Sequence, residues 1–269
     1  MIIPMRSQIL AAVLGVLVGA AGAGAQTPDT VLLEELTWTE VRDAVRAGKT
    51  TIIIPAGGTE QNGPHMALGK HNARVKALSQ DIARQLGDAL VAPVIAYVPE
   101  GGIVPPTGHM RYPGTITAPD EAFQKVLEFA ARSFKQHGFR NVVLLGDHGS
   151  TQAGQKAVAA RLNREWAATG VRVHAIEEYY RAGEIDVPRL LRARGYTEAE
   201  LGRHAGLADT ALMLATDARM VRADRLRPGS PGDGVDGDPT RATAELGRPG
   251  VELIVSRTVD AVRKSISHR

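Results

Sequence analysis

The sequence predicts a three-layer α/β/α domain on a mainly parallel sheet. Two observations carry this. Short runs at 51–54 and 141–145 are apolar throughout, and they alternate with longer segments of helical periodicity. A strand that is apolar at every position, rather than every second one, belongs in a sheet covered on both faces. The 269 residues, 43% of them hydrophobic, suffice for one domain with a full core.

The elements follow in order. Thr37 and Glu40 form a capping box for a first helix, and Gly48 ends it. Residues 51–54 are a β-branched strand. Val75, Leu78, Ile82 and Leu86 recur at helical spacing, and Gly87 stops that helix. Residues 90–98 read as the next strand. Pro119 and Asp120 open a helix carrying Phe123, Leu127, Ala130 and Phe134 on one face, closed by Gly138. Residues 141–145 form a third strand, a helix spans about 152–168, and 171–176 form a further strand. Two Gly- and Pro-rich segments, 101–117 and 227–239, read as long loops of the kind that carry function.

Several function classes are excluded early. A formal charge of +3, 4% aromatic residues and no basic block disfavour nucleic acid as a partner. No phosphate-binding glycine loop follows a strand, and Ser150 has no nucleophile elbow around it. The absence of cysteine removes disulfides, thiolate ligands and a thiol nucleophile. Residues 1–25 read as a cleaved export signal: Arg6, an apolar stretch at 9–18, then Ala23-Gly24-Ala25. The expected location is periplasmic or secreted, with 26–269 as the mature domain and no further membrane contact.

Chemistry concentrates beyond the carboxyl ends of two strands, where ligands bind in such sheets. Glu60 and His71 follow the first strand, and His148, in Gly146-Asp147-His148-Gly149, follows the third. A carboxylate and two imidazoles form a donor set for a divalent metal. Lys70-His71 also reads as a solvated turn. Asp147 reads either as a carboxylate orienting an imidazole or as a helix cap. Asn62 and His65, beside Glu60, and His109 and Arg111, in the long loop, are candidates for contacting substrate or supporting the ligands.

The Pro-x-Gly-x-x-Glu-Gln-x-Gly-Pro-His run at 55–65 resembles the creatininase (creatinine amidohydrolase) family. So do Gly108-His109-Met110-Arg111-Tyr112-Pro113-Gly114-Thr115, Asp147-His148-Gly149, His204-Ala205-Gly206 with Asp209-Thr210, and Gly234-Val235-Asp236-Gly237-Asp238-Pro239. The resemblance implies a three-layer fold, assembly as a homo-oligomer, often a hexamer, and amide hydrolysis at two metals. It carries the family's first Glu to Glu60, its distant His to His148 and a proton-handling His to His204. Asp209 matches a position where members carry a Glu.

Three positions depart from that pattern. Asn62 replaces a His ligand, His71 replaces the bridging Asp, and Ser150 replaces a carboxylate. A carboxylate bridges two cations, whereas a neutral imidazole offers one lone pair. The expectation is therefore one divalent ion held by Glu60, His71 and His148, with zinc leading and manganese or iron(II) as alternatives. The expected activity is hydrolysis of a C–N bond in a small amide, lactam or cyclic amide, with His204 and Asp209 moving protons. Two alternatives remain open: a non-catalytic small-molecule-binding protein on the same scaffold, and a metal-dependent esterase or lactonase.

Overall fold

The computed structural model describes residues 28–267. The export signal expected at 1–25 lies outside the described residues. Four parallel strands form one sheet in the order β2-β1-β3-β4: β1 (Thr51–Ala56), β2 (Ala89–Val91), β3 (Asn141–Gly146) and β4 (Arg172–Ala175). The pairing of β1 with β3 runs from Thr51↔Asn141 to Ala56↔Gly146, so the two strands end side by side.

Alternation along the strands builds two cores. Ile53, Val91, Val143 and Leu145 face one layer, and Ile52, Ile54, Leu90, Val142, Leu144 and Val173 face the other. The second face is covered by α1 (Trp38–Arg46), α3 (Asp120–Gln136) and α4 (Thr151–Glu165). On the first lie α2 (Lys70–Leu86), α5 (Glu178–Arg181), α6 (Val187–Arg192), α8 (Leu207–Asp217) and α9 (Ala244–Ser267), with the short α7 (Glu198–Leu201) beside them. This is the three-layer arrangement expected.

Local signals act as anticipated. Thr37 caps α1 through a complete capping box. Gly87 ends α2 at φ +85°, and Gly138 follows α3 at +97°. The expected strand 90–98 is shorter: β2 stops at Val91. Pro93 has no N–H to donate to a ladder, and beyond it only the isolated bridges Ala56↔Ile95 and Val98↔Thr117 form. The helices α5 to α9 were not legible from periodicity. Part of the cause is that α5 passes through a π-helical stretch (Ala182–Asp186) into α6, which breaks the 3.6-residue repeat.

The sheet order places a topological switch at β1 and β3. The chain leaves β1 by α2 toward β2, then crosses back through α3 to β3. Loops beyond the two carboxyl ends diverge there and leave a crevice.

Close helix packing supports one wall of it. Gly247 of α9 lies so near the Ala211 carbonyl of α8 that any Cβ would strike backbone. Gly247→Ala is expected to lower stability by about 1–3 kcal/mol through overpacking. Urea unfolding of the two proteins measures this, and equal midpoints would refute the close approach.

Candidate metal centre and active site

Glu60 stands at the centre of the crevice, with its side chain fully inaccessible. The loop after β1 doubles back to deliver it. Gly57 packs so tightly on Asn72, in the first turn of α2, that no side chain fits there, and Gly58 N donates to Asn72 Oδ1 at 3.0 Å. Glu60 therefore meets a residue eleven positions on: its Oε1 lies 2.8 Å from His71 Nε2. Lys70 and His71 are buried in the first turn of α2, not solvated.

Four imidazoles surround this carboxylate. His109 Nε2 and His148 Nε2 lie 3.0 and 3.2 Å from Oε2, and His204 Nδ1 lies 3.9 Å from Oε1. Oε2 is buried and makes no hydrogen bond of acceptable geometry. Donor atoms of Glu60, His71 and His148 all lie within 4.8 Å of one another, as do those of Glu60, His109 and His204. Burial works against ionising Glu60, but the surrounding imidazoles hold its carboxyl well below the usual range.

The orientation of the rings is fixed from behind. Asp147 Oδ1 takes the Nδ1 side of His71 at 2.5 Å, which leaves Nε2 toward Glu60. Asp147 also accepts from Arg74 Nη2 at 2.6 Å and Tyr179 Oη at 2.6 Å. It orients an imidazole and does not cap α4. Despite its burial, the charge of Arg74 and the bond to His71 bring its carboxyl down to about 2. His148 Nδ1 pairs with Ser150 Oγ at 2.6 Å, so its Nε2 also points inward. Burial lowers the His148 pKa.

Asp209 is engaged elsewhere. It forms an ion pair with Lys70, accepts from Arg74 Nη1 at 2.7 Å, and accepts from Ala205 N at 3.1 Å. These cations keep it ionised well below the usual carboxylate range although burial opposes them. His204 reaches the site from a turn in which Ala205 takes the left-handed conformation at φ +54°. Its Nε2 lies 2.9 Å from the Gln61 carbonyl. Burial first, and then Lys70, bring its pKa down to about 4, so the ring is neutral at pH 7.

A cavity of about 240 Å³ is lined by Glu60, His71, His109, His148, His204, Asp209 and Tyr180, among others. It adjoins an open cleft of about 770 Å³ that shares His109 and His204 and is walled by residues of the 227–239 loop. An antiparallel bridge, His204↔Asp236, ties that loop to the site.

Not every expected residue joins this group. Arg111 is exposed at the end of a short 3-10 turn and lines neither cavity. Asn62 is buried outside the cavity. Its Nδ2 donates to the Glu60 carbonyl at 2.9 Å and the Ala67 carbonyl at 3.3 Å, holding the loop and not a substrate. His65 is also buried behind the site, with Nε2 3.0 Å from Thr210 Oγ1. Its polar ring sits against α8, which explains its position in the fold.

Several participants were not anticipated. Glu100 presents both carboxylate oxygens, buried and without hydrogen-bond partners, with Oε2 3.3 Å from His148 Nε2. Burial, and then the negative charge of Glu60, push its pKa up to about 9. The rule that selects Glu60 and His148 also selects Glu100, since it follows the apolar run at 90–98. Arg74 is signalled by its position three residues after His71 on α2. For Tyr179, on the irregular α5, no sequence signal exists.

Comparison with known proteins agrees with this geometry. The family model described as creatinine amidohydrolase matches residues 34–262. The creatinine amidohydrolase of Pseudomonas putida is 26% identical over 255 residues, covering 87% of this chain and 97% of that one. The mycofactocin precursor peptide peptidase of Mycolicibacterium smegmatis is 26% identical over 226 residues, covering 79% and 84%. A solved mutant creatininase of Zn–Zn type superposes with a TM-score of 0.71 at 25% identity, covering 89% of this chain and 99% of that one. With a family match over most of its length and the same fold, the chain belongs to the creatininase family of metal-dependent amide hydrolases.

Proposed function

We propose that the chain hydrolyses a C–N bond in a small amide, lactam or other cyclic amide, using one divalent cation held by Glu60, His71 and His148. The observation that carries this reading is the convergence of those three donors on a buried pocket, with Glu60 Oε2 left without a hydrogen bond. A buried carboxylate oxygen in that state fits a cation better than any neighbouring protein group. When bound, such an ion polarises a carbonyl and lowers the pKa of water.

The chain's own residues account for the rest. Asp147, which can only accept, places a proton on His71 Nδ1 and leaves Nε2 as the atom turned inward, and Ser150 holds the His148 ring with its Nε2 inward. Of the two proton carriers expected, His204 suits the task. It is neutral at pH 7 and open to the cavity, so it can take a proton from water and deliver it to the nitrogen as the C–N bond breaks. Asp209, saturated by Lys70, Arg74 and a backbone N–H, instead positions those cations. The inner cavity of about 240 Å³ suits a small ring. The open cleft beyond it supports a second reading, an amide carrying a peptide-sized substituent, and a peptide peptidase is among the relatives.

Three outcomes are expected. Purified protein should retain about one divalent ion per chain, as three protein ligands imply, and a chelator should remove ion and amidase activity together. A metal-free protein that still binds small amides would defeat the proposal in favour of a binding role. Asp147→Asn should weaken metal affinity by about 10–100-fold although Asp147 is not itself a ligand; chelator competition measures this, and an unchanged constant would count against the orienting role. His204→Gln should cut kcat by about 10²–10⁴-fold at unchanged metal content, whereas wild-type turnover in the variant would remove His204 from the chemistry.

A further inference from the structure

We propose that Glu100 is a fourth ligand of the cation and supplies from a different part of the chain the carboxylate missing at position 150. This rests on the reading of Glu60, His71 and His148 as a cation site. The Glu100 side chain is fully inaccessible, and neither oxygen has a hydrogen-bond partner. An isolated buried carboxylate is among the most costly groups a fold can hold. Its position is nevertheless firmly built. Glu100 N donates to Thr117 Oγ1 at 2.9 Å, and the Gly58 backbone leaves room for it: a Cβ there would come within 2.6 Å of Glu100 Oε1.

The direction of the side chain points to its role. Oε2 lies 3.3 Å from His148 Nε2, the atom that also lies 3.2 Å from Glu60 Oε2. His148 Nδ1 is occupied by Ser150 Oγ, so the serine orients the ring toward both carboxylates. Two carboxyl groups brought to one imidazole nitrogen cannot both ionise without a counter-charge, and a divalent cation among them supplies it.

The resulting set is two carboxylates and two imidazoles. Four protein ligands would close a tetrahedral zinc site, whereas a six-coordinate ion such as Mn²⁺ keeps two positions for water and substrate. Glu100 therefore biases the centre toward a harder, six-coordinate ion.

The test uses the full chain, stripped by chelator and titrated with Mn²⁺, as wild type, Glu100→Gln and His148→Ala. Loss of an outer partner alone costs about 10–100-fold in metal affinity, so losing a direct ligand is expected to cost about 100-fold or more. Metal-free Glu100→Gln should melt no lower than metal-free wild type, since Gln matches the size and neutrality of the buried acid, while the rise in Tm on adding Mn²⁺ should shrink. Equal Mn²⁺ affinity in wild type and Glu100→Gln, with loss in His148→Ala, would overturn the role of Glu100 alone. No Mn²⁺ binding by wild type would overturn the cation site and Glu100 together. Should Glu100→Gln fail to fold, a crystal structure of Mn²⁺-loaded wild type serves in its place: a Glu100 oxygen bonded to the ion supports the proposal, and one turned away refutes it.

Discussion

The buried carboxylate of Asp147 joins three elements that the chain order keeps far apart. It begins where β3 ends, and it is held by His71 and Arg74 of α2 and by Tyr179 of α5. Asp209 extends the pattern from α8 through the same Arg74 and through Lys70. Breaking a buried pair of this kind typically costs about 3–5 kcal/mol, because the remaining charge is left uncompensated. The network therefore serves both stability and orientation. Rotating the Asp147 carboxylate would free the His71 ring, and α2 and α5 would lose the group that sets their spacing at the mouth of the crevice.

Much of the fold could be read from composition and pattern. Continuous apolar strands forecast a sheet buried on both faces, and glycines and a capping box marked helix ends. These signals are local, so they survive in one sequence. What could not be read depends on tertiary contact. The strand expected at 90–98 is cut by one missing N–H at Pro93. The helices beyond β4 include a π-helical stretch, and α9 carries Pro249 inside it, so period and propensity both mislead.

The site shows the same division. Glu60, His71 and His148 were identifiable because each follows a strand end, and the structure brings them within reach of one another. His109 and His204 join them from distant segments, a neighbourhood suggested by motif and not by spacing. Arg111, from the same motif as His109, points away into solvent. Asn62 and His65 sit beside Glu60 in sequence but behind it in space, where Asn62 binds the carbonyls of its own turn and His65 binds Thr210 of α8. Glu100 stood at the entrance of a Gly- and Pro-rich loop, where its burial depends on packing against Gly58.

The hydrogen bonds of Asn62 have a consequence for how the centre fills. Its amide holds the Glu60 and Ala67 carbonyls, while Asn62 and Met66 form a bridge across the turn. The turn that presents Glu60 thus has its shape from the polypeptide itself. An arriving ion has little chain to organise, and the ordering entropy that usually opposes capture has been spent during folding. With the proposed cation in place, the donors would form a preformed chelate whose selectivity lies in ring and carboxylate placement.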